Sequence, residues 1–150
     1  MLACGSPAGG LSEAALSTAA APLPIVLTTP GLESAPNQTE VALTRHIRSA
    51  QDTIDVAVYD FGLALPARAM SIAADNGVAV RVVTDGDELD EDGILMLQEN
   101  GIEVAFRPEG DRIMHHKFVV IDGKRVITGS ANFTNFSARW IGQDLDLVVD

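Results

Sequence analysis

From residue 53 to residue 108 the sequence alternates between apolar strand-like runs and helix-like runs, and this alternation restricts the possible folds more than any other feature. In the first run, TIDVAVYDF at 53–61, alternate positions are apolar, which predicts a half-buried strand. Helices are predicted at 66–77 and 91–101, and each is closed by an Asn-Gly pair. The apolar runs that follow them predict strands at 78–86 and 102–108.

Further elements flank this region. A short strand is predicted at 25–28, and a helix should run from the capping-box-like pair Asn37 and Glu40 to about Ser49. After residue 108 the pattern changes to two apolar strands, HKFVVID and KRVITGS, joined at Asp122-Gly123, a strong hairpin signal. A last strand is predicted in QDLDLVVD. Together these elements predict an α/β fold with a mixed, largely parallel sheet, flanked by helices on both faces.

The ends of the chain differ from this region. Residues 1–23 are rich in Ala, Gly, Ser and Pro and predict a flexible leader, so the expected domain is 24–150. Its end in a strand favours a domain that is truncated at the C-terminus. The run Leu-Ala-Cys-Gly around Cys4, the single cysteine, resembles the end of a bacterial lipoprotein signal without the usual preceding residues. Two expectations stay open: a protein at the cell envelope or secreted, with a lipid on Cys4, or a bacterial cytoplasmic protein with an ordinary thiol.

The first predicted hairpin strand carries two adjacent histidines and a lysine. Side chains alternate along a strand, so His115 and Lys117 should share one face, and His116 should point the other way, into the fold. The turn should bring Ser130 and Asn132 back to the same place. A cation, a hydroxyl and an amide around one histidine describe an anion site, and the natural anion is a phosphate.

Each of these residues also has an ordinary interpretation. A histidine on a strand is most often structural, and Asp-Gly turns and Ser or Asn after Gly are common without chemistry. Two adjacent histidines suggest a metal pair, but neighbouring strand residues diverge and no Cys or Glu cluster completes a site. The fixed spacing of all these residues together is a much stronger signal than any one of them.

That spacing resembles the HKD motif of the phospholipase D superfamily: His115-x-Lys117, four residues, Asp122, six residues, then Gly129-Ser130-x-Asn132. The resemblance covers roughly residues 24–150. It implies a phosphodiesterase in which one histidine attacks phosphorus to form a phosphohistidine and the histidine of a second motif protonates the leaving oxygen, with no metal or other cofactor.

The resemblance also implies roles for individual residues. His115 would be the nucleophile or the general acid, and Lys117 and Asn132 would hold the phosphate oxygens. Ser130 would help to shape this cradle, and Asp122 would support the hairpin. One position departs from the family: Gln143 stands where many members have a glutamate that orients the histidine. Only one motif is present, so the second is expected from a homodimer partner or from a missing C-terminal half.

Three functions remain open from the sequence. The preferred hypothesis is a phosphodiesterase acting on phospholipid head groups. The first alternative is an endonuclease that cleaves DNA or RNA as a homodimer. The net charge of −11 argues against it, but basic residues concentrate in the last third of the chain. They are Arg107, Arg112, Lys117, Lys124, Arg125 and Arg139. The second alternative is a non-catalytic binding module with a decayed site.

Overall fold

A computed structural model of the chain describes residues 25–28, 38–86, 91–108, 110, 112–135, 137 and 144–149. These residues form one seven-stranded sheet and three helices. The strands are β1 Ile25–Thr28, β2 Thr53–Val58, β3 Ala79–Thr84, β4 Val104–Phe106, β5 Lys117–Ile121, β6 Arg125–Gly129 and β7 Asp144–Val149. The helices are α1 Gln38–Ile47, α2 Ala64–Asp75 and α3 Asp92–Glu99. The predicted leader, including Cys4, and Gln143 lie outside the described residues.

The sheet is mixed, with the strand order β1-β7-β6-β5-β2-β3-β4. The pairs β2–β3 and β3–β4 are parallel, whereas β2–β5, β5–β6, β6–β7 and β1–β7 are antiparallel. The predicted mixed sheet with flanking helices is therefore confirmed, but its parallel part is limited to β2, β3 and β4. The reason is that the hairpin β5–β6 pairs with β2 in the middle of the sheet and runs antiparallel to it.

The three described helices pack on one face of the sheet. Alternate residues of β2, namely Ile54, Val56 and Val58, are buried in a single core with the inner side chains of all three helices. The predicted flanking helices are thus present, and a helix on the second face stays a prediction, since α1, α2 and α3 all lie on the first. On the other face Val83 is 40% exposed. None of the described helices is long and apolar enough to cross a lipid bilayer.

The helix ends follow the local sequence. Gly77 and Gly101 have positive φ angles of 91° and 76° just after α2 and α3, where a residue without Cβ reverses the chain at least cost. The N–H of Val78 then donates to the carbonyl of Ala73 at 3.0 Å, and that of Ile102 donates to Leu97 at the same distance. Both Asn-Gly pairs therefore end helices, as the sequence predicts.

The hairpin turn is fixed to the rest of the sheet by one carboxylate. Asp122 and Gly123 have φ angles of 55° and 64° and occupy the two central positions of a β-turn that the N–H of Lys124 closes by donating to the carbonyl of Ile121 at 3.0 Å. The Asp122 carboxylate accepts hydrogen bonds from the backbone N–H groups of Gln51, Asp52 and Thr53. Burial raises the pKa of this carboxyl group, but the three N–H groups and Arg125 outweigh it and hold the pKa below its usual value. Asp122 thus ties the turn to the beginning of β2.

Candidate active site

The site lies at the edge of the sheet where β2 ends. Lys117 pairs with Val58 across β5 and β2, and the hydroxyl of Thr128 donates to the carbonyl of Lys117 at 3.1 Å. Beyond the hairpin, the backbone N–H of Phe133 donates to the carbonyl of Asp60 at 3.1 Å. The outer ends of both hairpin strands therefore meet the end of β2, as the hairpin geometry predicts.

His115 and Lys117 share one aromatic neighbour, Tyr59. The imidazole of His115 is exposed and meets the Tyr59 ring edge-on, with 5.3 Å between the ring centroids. Lys117 is only 7% exposed, and its Nζ lies 5.6 Å from the centroid of the same ring. The Lys117 ammonium also donates to the carbonyl of His115 at 3.2 Å. The structure thus brings an accessible imidazole and a confined cation to one place.

His116 does not enter the core, and the prediction that it points into the fold is wrong. Its side chain is exposed, and its ring contacts only the Phe118 ring among the described aromatic residues, at 5.9 Å between centroids. It does face away from His115, as strand alternation requires. Strand alternation gives the direction of the His116 side chain, but not its burial, which depends on what packs on the face that it reaches. The carbonyl of His116 accepts a hydrogen bond from the N–H of Tyr59 at 2.9 Å, so its backbone ties β5 to β2.

Asn132 lies in the segment that returns beside β2. Its Oδ1 is buried and has no hydrogen-bond partner among the described residues. A buried polar atom of this kind calls for a ligand or a functional role. The side-chain amide of Asn132 carries an oxygen acceptor on one side and an NH₂ donor group on the other. A 180° rotation about the last side-chain torsion angle exchanges the two, so that the NH₂ group can donate to a phosphate oxygen. Ser130 is exposed nearby, after the end of β6.

The charge of Lys117 depends on Asp60, a residue that was not among the predicted site residues. Burial lowers the pKa of the Lys117 ammonium, and the Asp60 carboxylate raises it, so that the net shift is downward. Asp60 stands directly after Tyr59 at the end of β2, and its carbonyl binds the segment that carries Asn132. Polar residues at the carboxyl end of a strand in an α/β sheet are frequent site residues, and that rule points to Tyr59 and Asp60.

A buried ion pair supports the segment before His115. Asp85, at the end of β3, is fully buried and accepts two hydrogen bonds from the Arg107 guanidinium, from Nε at 2.8 Å and from Nη2 at 3.0 Å. The same carboxylate accepts the backbone N–H of Met114 at 2.6 Å. Asp85 therefore fixes the chain one residue before His115, although it lies far from it in the sequence. This contact was also not predicted.

The predicted site residues thus fall into three groups. The structure brings His115, Lys117, Ser130 and Asn132 to one edge of the sheet. Asp122 lies at the other end of the hairpin, where it holds the turn. Gln143 lies outside the described residues, so its role stays a prediction. The described residues include no group of three or more His, Cys, Asp or Glu side chains that could hold a metal ion.

Comparison with known families decides what kind of domain this is. The model of the family described as "Cardiolipin synthase, PLD-like domain" matches residues 43–149, which include every described residue of the site. The chain belongs to this family. The predicted membership of the phospholipase D superfamily is therefore confirmed.

Several relatives of this PLD-like domain have names. The mitochondrial cardiolipin hydrolase of Danio rerio is 36% identical over 94 residues, which are 61% of this chain and 41% of that protein. The phospholipase D of Rickettsia prowazekii (strain Madrid E) is 30% identical over 110 residues, 72% of this chain and 53% of that protein. The relatives thus include both mitochondrial and bacterial proteins. The chain spans about half the length of these proteins or less.

Solved structures agree on the fold. Nuc from Salmonella typhimurium, a phospholipase D family member, superimposes with a TM-score of 0.68 over 85% of this chain and 84% of its own, at 23% identity. NucT from Helicobacter pylori superimposes with a TM-score of 0.64 over 83% of each chain, at 20% identity. At these identities the comparison supports the fold alone, which is the mixed sheet with flanking helices described above.

Proposed function

We propose that this PLD-like domain is a phosphodiesterase that hydrolyses phospholipid head groups through a phosphohistidine on His115. The observation that carries the proposal is the placement of the exposed His115 imidazole beside the buried Lys117 ammonium, with Tyr59 against both. A neutral imidazole is a nucleophile near neutral pH, and a confined cation stabilises the charge that develops on phosphoryl oxygens.

The reaction proceeds in two displacements. An imidazole nitrogen of His115 forms a bond to phosphorus while the bond from phosphorus to the leaving alcohol oxygen breaks. The histidine of a second motif gives that oxygen its proton. Water then attacks the phosphohistidine, the second histidine takes a proton from this water, and the phosphate monoester leaves His115. Lys117 and the Asn132 amide hold the non-bridging oxygens throughout.

The second histidine would come from a second copy of this chain, related by a two-fold axis that passes beside the site. Such an interface uses the same surface on both copies, so each His115 would face the other across one substrate. The exposure of His115 at the end of the sheet leaves room for this approach. A second motif in a longer form of the protein would serve the same role, and the mass in solution separates the two.

Charge favours a lipid over a nucleic acid. Of the described basic residues in the last third of the chain, which supported a nuclease, Lys117 lies in the site and the exposed Arg112 three residues before His115, but the others lie elsewhere or are paired. Lys124 and Arg125 lie at the hairpin turn, at the opposite end from His115, and Arg107 is paired with Asp85. Arg139 lies outside the described residues. Several relatives are named cardiolipin hydrolases, and cardiolipin, with its two phosphodiesters, is the first lipid to test.

A membrane location would suit this substrate. The residues around Cys4 resemble the end of a lipoprotein signal, and a lipid attached to Cys4 would hold the enzyme at the cell envelope. Since Cys4 lies outside the described residues, this part of the proposal rests on the sequence alone.

The substrate class can be tested by one paired assay. Purified protein is given vesicles of cardiolipin and phosphatidylcholine, or single-stranded DNA, and its mass in solution is measured on the same sample. We expect a phosphate monoester product from the lipid, uncut DNA, and a dimeric mass. Cut DNA with intact lipid would replace the proposal with the nuclease, and a dimer that cleaves neither would favour the binding module. EDTA should leave the rate unchanged.

The pH dependence should reveal the role of Asp60. Activity requires the charged Lys117 and is lost as the pH rises through its pKa, which the Asp60 carboxylate raises. Asp60→Asn is therefore expected to move the alkaline limb of kcat/KM to lower pH on a dissolved aryl phosphodiester. Asp55→Asn is the matched control, because Asp55 lies on the same strand but pairs with Arg81. If the alkaline limb of kcat/KM lies at the same pH in the unmodified protein, Asp60→Asn and Asp55→Asn, Asp60 does not control the charge of Lys117.

A further inference from the structure

The outer surface of α1 and α2 combines exposed apolar side chains with arginines. Val41, Thr44, Arg45 and Arg48 follow one another at helical spacing along α1 and, with Leu65 of α2, line a shallow groove of about 370 Å³. Val41 is 50% exposed and Leu65 is 52% exposed. Clusters of exposed apolar side chains are uncommon on protein surfaces and often mark a binding site. We call this surface the α1–α2 face.

The α1–α2 face extends along the second helix. Arg68 and Ile72 stand three and seven residues after Leu65, so they share its side of α2. Ile72 is 51% exposed, and Arg68 is exposed as well. The surface thus presents three apolar side chains, Val41, Leu65 and Ile72, interleaved with arginines.

The charge of this face is opposite to that of the chain. Arg45, Arg48 and Arg68 form no ion pair with any described carboxylate. The acidic residues of the two helices are Glu40, in the first turn of α1, and Asp75, at the end of α2. The whole chain carries a net charge of −11. On so acidic a protein, a cluster in which arginines outnumber carboxylates forms a local site for an anionic surface.

The face begins at the rim of the candidate active site. Leu65 stands five residues after Asp60, and the intervening N–H groups of Gly62 and Leu63 both donate to the carbonyl of Phe133, next to Asn132. A short connection leads from α1 to the beginning of β2, so the N-terminal half of α1 lies toward the edge where β2 ends. The α1–α2 face therefore runs from Leu65, near the rim of the site, to Arg48, whose neighbour Ser49 accepts a hydrogen bond from Arg125 at 2.6 Å at the other end of β2.

We infer that the α1–α2 face docks on the anionic phospholipid bilayer that holds the substrate. The arginines would contact lipid phosphates, and Val41, Leu65 and Ile72 would enter the boundary between head groups and acyl chains. This inference rests on the proposed phospholipid substrate and adds the surface by which the enzyme meets it. A nucleic acid would also bind the arginines through its phosphates. It provides no apolar region for the three exposed aliphatic side chains, whereas a bilayer provides both phosphates and an apolar interior.

Vesicle binding by the full chain tests the inference. All variants carry His115→Ala, so that hydrolysis does not alter the lipid, and binding is measured by co-sedimentation with vesicles of phosphatidylcholine alone or with equal phosphatidylglycerol. We expect binding to the anionic vesicles only, weakened by added salt. Arg45→Glu should lower the partition coefficient about tenfold or more, and Leu65→Ser about threefold. Arg81→Glu, with the same charge change on the sheet face away from α1, α2 and α3, should change it less than about twofold.

Other outcomes would overturn the inference. Equal losses in Arg45→Glu and Arg81→Glu would indicate net charge rather than a docking face. A changed mass in solution for Arg45→Glu, with unchanged vesicle binding, would assign the face to contacts between copies, and a loss of single-stranded DNA binding alone would assign it to nucleic acid. A different result would contradict the proposed function but not the docking face. If a protein with intact His115 binds the vesicles without cleaving any lipid, the docking face is supported and lipid hydrolysis is refuted.

Discussion

Replacing His115 with alanine is expected to lower the rate of phosphodiester hydrolysis by about 10³-fold or more, because the reaction loses the atom that attacks phosphorus. The imidazole is exposed and contacts mainly the edge of Tyr59, so its removal should change the melting temperature by no more than about 2 °C. Initial rates on cardiolipin vesicles and on a dissolved aryl diester, with thermal melts of the same samples, measure both effects.

His116→Ala is the matched control for this variant. The two histidines are adjacent and both exposed, but His116 contacts Phe118 on the opposite side of β5. We expect its rate to stay within about threefold of the unmodified protein, since no reacting group lies on that side. A rate loss in His116→Ala equal to that in His115→Ala, or full activity in His115→Ala, would show that the nucleophile is wrongly assigned.

The part of the site that the sequence predicts is local. His115, Lys117, Ser130 and Asn132 are brought together by a single hairpin, and the register of a hairpin follows from its turn and the alternation of its strands. Asp122-Gly123 marks that turn unmistakably. The helix ends at Gly77 and Gly101 are predictable for the same reason, because both depend on backbone angles that few residues other than glycine adopt.

The part that the sequence does not predict depends on long-range pairing. Tyr59 and Asp60 reach Lys117 only because β5 pairs with β2. Nothing in either segment specifies that partner, since an apolar hairpin can join a sheet at its edge as well as in its middle. The same insertion explains why the sheet is less parallel than predicted. The error about His116 has a related cause: alternation gives the direction of a side chain but not what covers the face that it reaches.

Replacing Asp85 with alanine is expected to lower the free energy of unfolding by about 3 kcal/mol. The Asp85 carboxylate is fully buried, and its removal takes away two hydrogen bonds of the Arg107 guanidinium, itself only 18% exposed. The N–H of Met114 loses its acceptor at the same time. For a chain of this size the melting temperature should fall by on the order of 10 °C. Thermal melts and urea titrations measure this directly.

The same substitution separates stability from positioning. Asp55→Ala is the control, because the Asp55–Arg81 pair is exposed to solvent and its loss should hardly move the melting temperature. If Asp85 also positions His115 through Met114, the kcat of Asp85→Ala should be reduced even at temperatures well below its melting temperature, where the variant is folded. Asp85→Asn retains one acceptor oxygen, so its kcat should lie between those of Asp85→Ala and the unmodified protein. Equal melting temperatures for Asp85→Ala and Asp55→Ala would refute the stabilising role, and full kcat in a folded Asp85→Ala would refute the positioning role. Both roles would depend on the same three hydrogen bonds, two from the Arg107 guanidinium and one from the N–H of Met114, the residue before His115.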